Sequence, residues 1–549
     1  VPRWMKHRTA RWMTTEGLGA SSISYLINDT FTTSLAAGAV NGTAAEPGPG
    51  TRTVVDTNSK LSIAADALSI ATGGSGSGNP GLYYDLVTRA AGRMLIAQAV
   101  STNETFAIGF DPNQLTAINH AVRWAGSSRT WQVYVNGLGL SVGNWTIGAT
   151  YNIAVVMRAT GAYFFAKIGG NWQLLYPSGA GSQDCYPAIA VESATGVLTV
   201  DYIRIPDTLW LPTPLVSDGF SGSTSDGLGH AETSGLGSGG SGVSWTGATW
   251  AVSGGVLKNA PTQGSELLTN ADFAAWTADN PDGWTITGEV GSDPAVHQVA
   301  SGQDHTGGGA GAANFYASGA GRAVAARNAL TVGQWFAVSG NISFKTGASI
   351  LIYDGSLGLS LTRTTSGAFS GAGRASNINL RISASALSAH DFTVDDISLK
   401  TLTLSTLFRT ANLSTADVFA SVAITLTAGT QAGLVLNLDS TSSPANFIIV
   451  YHNGTQVVAD KCVAGTYTNL FSSTVTYVAG ARLELRKDGT AYRVYYNTVF
   501  VGSQQTVSDA GIISNTLHGT FSTYELNEFD NLVIYPTGNS GEYSILDSY

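Results

Sequence analysis

A glycosidase that works through a covalent intermediate needs two carboxyl groups about 5 Å apart. On one strand that requires an even spacing, because successive side chains point to opposite faces. The nearest phrase in this chain is YELNEFDNL, with Glu525, Glu528 and Asp530. Glu525 and Glu528 are three apart and fall on opposite faces, and the phrase coincides with a closing strand in which Asp530 is expected structurally. No catalytic residue is assigned, and the chain is read as a non-enzyme. The eight histidines are scattered. His297 and His305 flank a polar, glycine-rich loop, with no third partner at a metal-ligand spacing. The glycine-rich runs lack the Lys-Ser/Thr that a phosphate cradle requires.

Sugar recognition is a different chemistry. Aromatic rings stack on pyranose C–H faces while Asn, Gln, Asp and Arg read the hydroxyls. Residues 265–400 carry Trp276, Trp284, Tyr316, Trp335 and Tyr353. Tyr316 and Tyr353 are the rings expected at the surface, with Trp335 and Trp276 as further carbohydrate-binding candidates. Trp335 follows a turn in VGQWFAVSG, where crowded apolar residues also suit a core position. The competing reading makes all of these rings core or isolated surface aromatics.

The elements that would carry such residues are strands. RTWQVYVNGLGLSVG, NFIIVYHNGTQVVADK and RLELRKDGTAYRVYYN each place Asn-Gly or Asp-Gly between β-rich runs. Those pairs supply the positive φ angles of tight hairpins. Helical periodicity is nearly absent. Hydrophobic residues make up 43% of the 549, enough for globular cores, but charged residues only 12%. That is about half the usual share, so Ser, Thr, Asn and Gly must cover the surface, as in extracellular and virion β-proteins. A net charge of −10 argues against nucleic acid as a partner. The two cysteines, Cys185 and Cys462, are read as small buried residues. No transmembrane segment and no signal peptide are visible. Either a signal was removed ahead of Val1, or export takes another route such as lysis with a virus particle.

Three opening phrases recur: LINDTF (26–31), LVSDGF (215–220) and LLTNADF (267–273). Three closing phrases answer them: LTVDYIRIPD (198–207), FTVDDISLK (392–400) and NEFDNLVIYP (527–536). The third opening comes before the second has closed. The ~45 residues between Asp218 and Gln263 are too few for a sandwich, so one sandwich is interrupted by another. The expected fold is all-β, with three β-sandwich (jelly-roll) domains, one nested inside another, after a short N-terminal arm. The boundaries are 1–25 for the arm, 26–212 for the first sandwich, 213–264 with 401–540 for the second, 265–400 for the insert, and 541–549 for a tail. This reading expects insert and host each to fold without the other.

The phrases DTFTTSLAAGAVNGTAAEPGPG and DGFSGSTSDGLGHAETSGLG resemble the start of laminin-G-like domains of the concanavalin-A type. Trp250 to Leu257 and the stretch LELRKDGTAYRVYYNTVFVG…FDNLVIYP are similar to them as well. The insert resembles jelly-roll carbohydrate-binding modules, with Ala271 in place of the usual Gly and Trp284 at the Pro-x-x-Trp position. Such domains occur in secreted bacterial proteins and in tailed-phage structural proteins. The resemblance implies glycans or cell-surface polysaccharide as partners. It also implies a structural Ca²⁺ between the first and last strands of the insert, with Asp395 as the leading ligand beside Asp396 and Asp272.

The arm VPRWMKHRTARWMTTEG is unlike the rest. If helical, Trp4, Arg8 and Trp12 lie at i, i+4 and i+8, next to Arg11. So short a helix needs a partner surface. The arm is read as a docking element for other virion or surface-assembly proteins, or for a second copy in a homo-oligomer. The function expected is a non-enzymatic structural or adhesion protein at a virion surface or in the extracellular space: a tailed-phage fibre, decoration or host-contact protein. The alternative is a secreted or cell-surface bacterial carbohydrate-binding protein, with a glycoside hydrolase as a third reading that the missing carboxylate pair disfavours.

Overall fold

The computed structural model describes residues 23–56, 59–71, 80–102, 105–112, 118–126, 128–158, 161–179, 184–191, 197–220, 245–247, 250–299, 311–346, 349–355, 358–538 and 541–549. The sequence expectations for Trp4, Arg8, Arg11 and Trp12 therefore lie outside the described residues. The chain divides into two compact units, residues 1–212 with 541–549, and residues 213–540. Nearly all regular structure is antiparallel strand. Among the described residues no helix is long and apolar enough to cross a membrane.

The first unit is a sandwich of two sheets. One sheet runs in the order Asn171–Pro177, Gly161–Ile168, Thr150–Arg158, Arg93–Ser101, Val197–Pro206, Ala67–Ala71, Leu61–Ala64, and Tyr25–Asp29 also pairs with Val197–Pro206. The other runs Leu138–Asn144, Thr130–Val135, His120–Ala125, Phe106–Asp111, Tyr186–Val191, Gly81–Tyr83, Thr53–Val55. Alternation sends Phe106, Trp124 and Trp131 between the sheets, where Phe106 stacks on Trp124 at 4.3 Å. Asn136 and Gly137 take φ of 51° and 78° and form the two-residue hairpin expected of them. At Asp488-Gly489 the turn is displaced by one: Asp488 pairs with Ala491, and Gly489 takes the first loop position at φ 57°.

The second sandwich repeats this order. Its eight-stranded sheet runs Trp250–Ser253, Val256–Asn259, Glu528–Pro536, Val418–Thr425, Ala481–Asp488, Ala491–Tyr496, Val499–Thr506, with Val216–Asp218 on Glu528–Pro536. Its seven-stranded sheet runs Trp245–Gly247, Phe408–Asn412, Leu517–Ser522, Ala432–Leu438, Phe447–His452, Gln456–Val463, Thr466–Thr474. Strand for strand this is the first sandwich again. The insert occupies the connection that in the first sandwich joins Ala67–Ala71 to Gly81–Tyr83.

The repeated phrases have a local physical cause. Asp29 Oδ1 accepts from the Phe31 amide at 3.1 Å, and Asp218 Oδ1 from the Phe220 amide at 2.8 Å. Asp272 Oδ1 accepts from the Ala274 amide at 3.3 Å. Each carboxylate closes a turn that holds a Phe in the left-handed region, at φ 56° for Phe31, 49° for Phe220 and 53° for Phe273. That posture is unusual for a bulky residue. It is sustained because each ring is buried. At the other end, every closing strand carries a bulge at or beside its Asp, at Asp201, at Asp396 and at Asn531. Asp396 and Asn531 sit at φ 51° and 50°, which Asp and Asn tolerate best after Gly.

The insert has its own two sheets. One holds Ala295–Val299, Ala312–Ala317, His390–Leu402, Trp335–Thr346 and Gly367–Arg374, with Gln263–Glu266 on His390–Leu402. The other holds Thr285–Thr287, Val324–Asn328, Asn379–Ala384, Ile350–Tyr353 and Ser360–Arg363. Phe273, Trp284, Phe315, Phe336 and Phe392 fill the space between them.

A further apolar cluster joins insert to host. Trp335 and Ala372 of the insert pack with Phe408, Val435, Phe447, Ile449, Tyr451 and Phe521, on the outer face of the second sandwich's seven-stranded sheet. Arg374 reaches Asp460 at 2.9 Å, and Gln431 Nε2 donates to the Ala372 carbonyl at 2.7 Å. Strands Ala432–Leu438 and Phe447–His452 are consequently buried on both faces. Exposing that face to water would cost about 1.5–3 kcal/mol per large side chain. The insert is nested in the chain and keeps its own core, and a second cluster packs it against the host, so the expectation that the host folds without its insert has to be tested against that contact.

Candidate functional site

The outer face of the insert's larger sheet is set by alternation. Phe336, Val338 and Ile342 point into the insert's core, so Trp335, Ala337, Ser339, Asn341, Ser343 and Lys345 lie on the outer face. The end bearing Trp335 and Ala337 is used for docking on the second sandwich. The other end is polar. Tyr316 stands opposite Ala295 and Asp391, and Asn314 opposite His297 and Thr393. Asn314 Nδ2 donates to Asp391 Oδ1 at 2.6 Å and to the Phe392 carbonyl at 3.2 Å. Lys345 Nζ lies 3.9 Å from Asp391 Oδ1 with its side chain 44% exposed, a contact that water screens. Tyr316, His297, Asn314 and Asp391 are half-buried.

One ring, one amide, one carboxylate and one ammonium thus share a face across neighbouring strands about 4.8 Å apart. Such a surface can stack a sugar ring and read its hydroxyls. Of the expected rings, Tyr316 is the one this sheet presents. The sequence reading missed Asn314, Asp391 and Lys345 as its neighbours. The signal was in HDFTVDDISL, where Phe392 and Val394 alternate with Asp391, Thr393 and Asp395.

The other expected rings are placed differently. Trp276 is half-buried on the hairpin of Trp276–Thr277 and Asn280–Pro281, and its indole donates to the Phe273 carbonyl at 2.5 Å. Tyr353 is only 9% exposed, and Trp335 2%. Trp335 donates from its indole to Tyr467 Oη at 3.0 Å and packs against Tyr451 and Phe521. These last two rings, expected at a sugar-binding surface, are committed to packing. In Trp335 the cause is the shared core between insert and host.

The three aspartates expected at a metal do converge in part. The Ile397 amide donates to the Ala271 carbonyl at 2.9 Å, which sets the opening segment beside the closing strand. Asp395 is fully buried, and its Oδ1 accepts from the Asp396 amide at 2.7 Å. Asp396 Oδ2 accepts from Asn341 at 3.3 Å, and Asp272 is exposed. Calcium takes about six to eight oxygens. Among the described residues no group of three or more His, Cys, Asp or Glu side chains is placed to hold a metal.

Of the carboxylates weighed for hydrolysis, Glu528 and Asp530 share one strand two residues apart. Glu528 pairs with Lys258 at 2.8 Å, Asp530 lies at the closing bulge, and Glu525 is exposed. Asn527 between them is buried and ties Thr427, Thr430 and Gln431 together.

No protein-family model matches this chain, and no curated protein does. Solved structures do. The carbohydrate binding module CBM66 from Bacillus subtilis matches at 14% identity, over 24% of this chain and 80% of its own, with a TM-score of 0.19. A beta-1,3-glucanase from Mycobacterium marinum matches at 13% identity, over 34% and 99%, with a TM-score of 0.24. An immunostimulatory antigen and pseudo beta-1,3-glucanase of Mycobacterium tuberculosis matches at 13%, over 34% and 99%, with a TM-score of 0.25. Likeness at this level assigns no activity to the chain.

Proposed function

We propose that this chain is a non-catalytic glycan-binding protein of an extracellular surface assembly, and that it meets polysaccharide on the outer sheet face around Tyr316. The observation that carries this reading is the grouping of Tyr316, Asn314, Asp391 and Lys345 on one partly exposed face. The setting, a tailed-phage virion with the arm of residues 1–25 as its docking element, rests on the resemblance of the opening and closing phrases. A secreted bacterial carbohydrate-binding protein is the second reading, and it uses the same face.

The test is a polysaccharide array with the full chain, its Tyr316→Ala variant and its Asn314→Ala variant. Weak binding by the parent and a loss of about tenfold in either variant, ~1.4 kcal/mol, at unchanged melting temperature is the expected result. Equal binding by all three would remove the site. Removing residues 1–16 addresses the arm: assembly is expected to be lost while the melting temperature stays.

A further inference from the structure

Where insert and second sandwich meet, a cleft of about 530 Å³ opens beside the shared core. That volume falls in the range typical of small-molecule sites, about 300–1,000 Å³. The insert contributes Thr331, Gln334, Trp335 and Thr401, and the host contributes Leu404 and Tyr467.

The inner wall is fixed. Tyr467 Oη accepts from the Trp335 indole at 3.0 Å, and the Arg374 guanidinium lies 4.3 Å from the Tyr467 ring centroid. Phe447 meets the same ring edge-on at 5.8 Å. With its oxygen accepting from the indole, the tyrosine retains one O–H to donate. The rim is mixed, with Thr331, Gln334 and Thr403 exposed beside an exposed Val332.

No residue of the lining is charged. A charged ligand would lose hydration there without a counter-charge, and a purely apolar one would strand the hydroxyls and the amide. Each threonine offers a hydroxyl and a methyl side by side, and Leu402 and Leu404 add C–H contact. A neutral molecule with hydroxyls around its edge and C–H groups on its faces satisfies both. We propose that this cleft is a second ligand site, a subsite for a neutral mono- or disaccharide, separate from the face around Tyr316. Because its walls come from both domains, ligand binds only the docked form and stabilises it by mass action.

The experiment is calorimetric titration of the full chain with glucose, galactose, mannose, N-acetylglucosamine, maltose and cellobiose, with glucuronate as the charged control. Saturable binding of at least one neutral probe below about 10 mM is expected. Thr403→Trp, an exposed position that fills the cleft, should weaken it about tenfold or more. Tyr467→Phe should weaken it without altering the fold, and Tyr316→Ala should leave it unchanged. Three results overturn the proposal: no neutral probe binding at that concentration, glucuronate binding as well as the best neutral sugar, or Thr403→Trp binding like the parent. Loss in Tyr316→Ala with retention in Thr403→Trp assigns the sugar to the sheet face instead. Failure of the Tyr316 reading alone leaves the cleft result standing.

Discussion

The two sandwiches share one strand order and differ in one face. On the seven-stranded sheet of the first, the residues alternating with Phe106, Val122 and Trp124 include Ala107, Ala121, Ala188 and Ala190, bordered by Tyr83, Tyr134 and Tyr186. Arg123 lies over the Tyr134 ring at 5.2 Å. On the same sheet of the second sandwich the positions hold Phe408, Val435, Phe447, Ile449, Tyr451 and Phe521. Small residues, tyrosines and a single Ile118 expose far less apolar area than large side chains would. The six large apolar side chains of the second face are covered by the insert. The same topology therefore carries a face of small residues in one sandwich and, in the other, a large apolar face packed against the insert.

The largest expected effect comes from removing the cover. Replacing residues 263–402 by a short Gly/Ser link should abolish cooperative melting of residues 213–540, while residues 1–212 with 541–549 keep their own transition in the full chain. Calorimetry decides it: an unchanged second transition would mean that the shared core contributes little.

Each sandwich also carries a buried aspartate paired with an arginine, and the pairs differ in access to water. Arg52 meets Asp29 at 2.6 Å with both side chains almost wholly buried. Arg374 meets Asp460 with its own side chain 23% exposed. Arg52→Ala is expected to cost about 3–5 kcal/mol, because Asp29 is left buried without its cation. Arg374→Ala should cost less, about 2 kcal/mol, since the Arg374 side chain is partly exposed and water can reach the gap it leaves, while both aspartates keep other donors. Denaturant titration orders the two, and a reversed order would refute the comparison.

Acid should separate the units next. Burial holds His120 of the first sandwich, and His452 and His518 of the second, down to about 4. An unfolded histidine titrates near pH 6.5. Between about 6.5 and 4 the unfolded chain takes up protons that the folded chain refuses. Stability is complete above that window and falls as pH is lowered through it. With two such histidines against one, the second unit should lose more melting temperature between pH 7 and 4.5. His518→Gln should reduce the difference.

Smaller effects test the recurrent aspartates. Asn531→Val should cost about 1–2 kcal/mol, because a β-branched residue resists the left-handed bulge, whereas Asn531→Gly should be close to neutral. If Asp395 holds calcium, chelation of the full chain should lower the insert's melting temperature by several degrees and added calcium should restore it. An unchanged melting temperature would remove the ion from that position.

Much of this was legible in the sequence. The Asp-Phe openings and Asp-bearing closings marked the sandwiches because a left-handed Phe and a bulged strand each need a particular residue beside them. The hairpin at Asn136-Gly137 was legible for the same reason, a local one. Asp488-Gly489 was displaced because register depends on the partner strand as well as on the turn. At the candidate site, Tyr316 was anticipated as a surface ring. Asp391 and Lys345 were not, because they become its neighbours only through pairing across strands, whereas Asn314, two residues away on the same strand, was legible from alternation alone.

The sequence by itself determined the two faces of each strand, since alternation is a property of the extended backbone. Which face meets water was decided by tertiary structure. Trp335 and Tyr316 both occupy the outer face of one sheet, at opposite ends. Trp335 is buried because a host sheet lies against it, and Tyr316 at the other end is half-buried. That distinction arises from contacts between segments more than a hundred residues apart, such as Trp335 with Tyr467. No local pattern encodes it, because the free energy that buries Trp335 belongs to the two surfaces together.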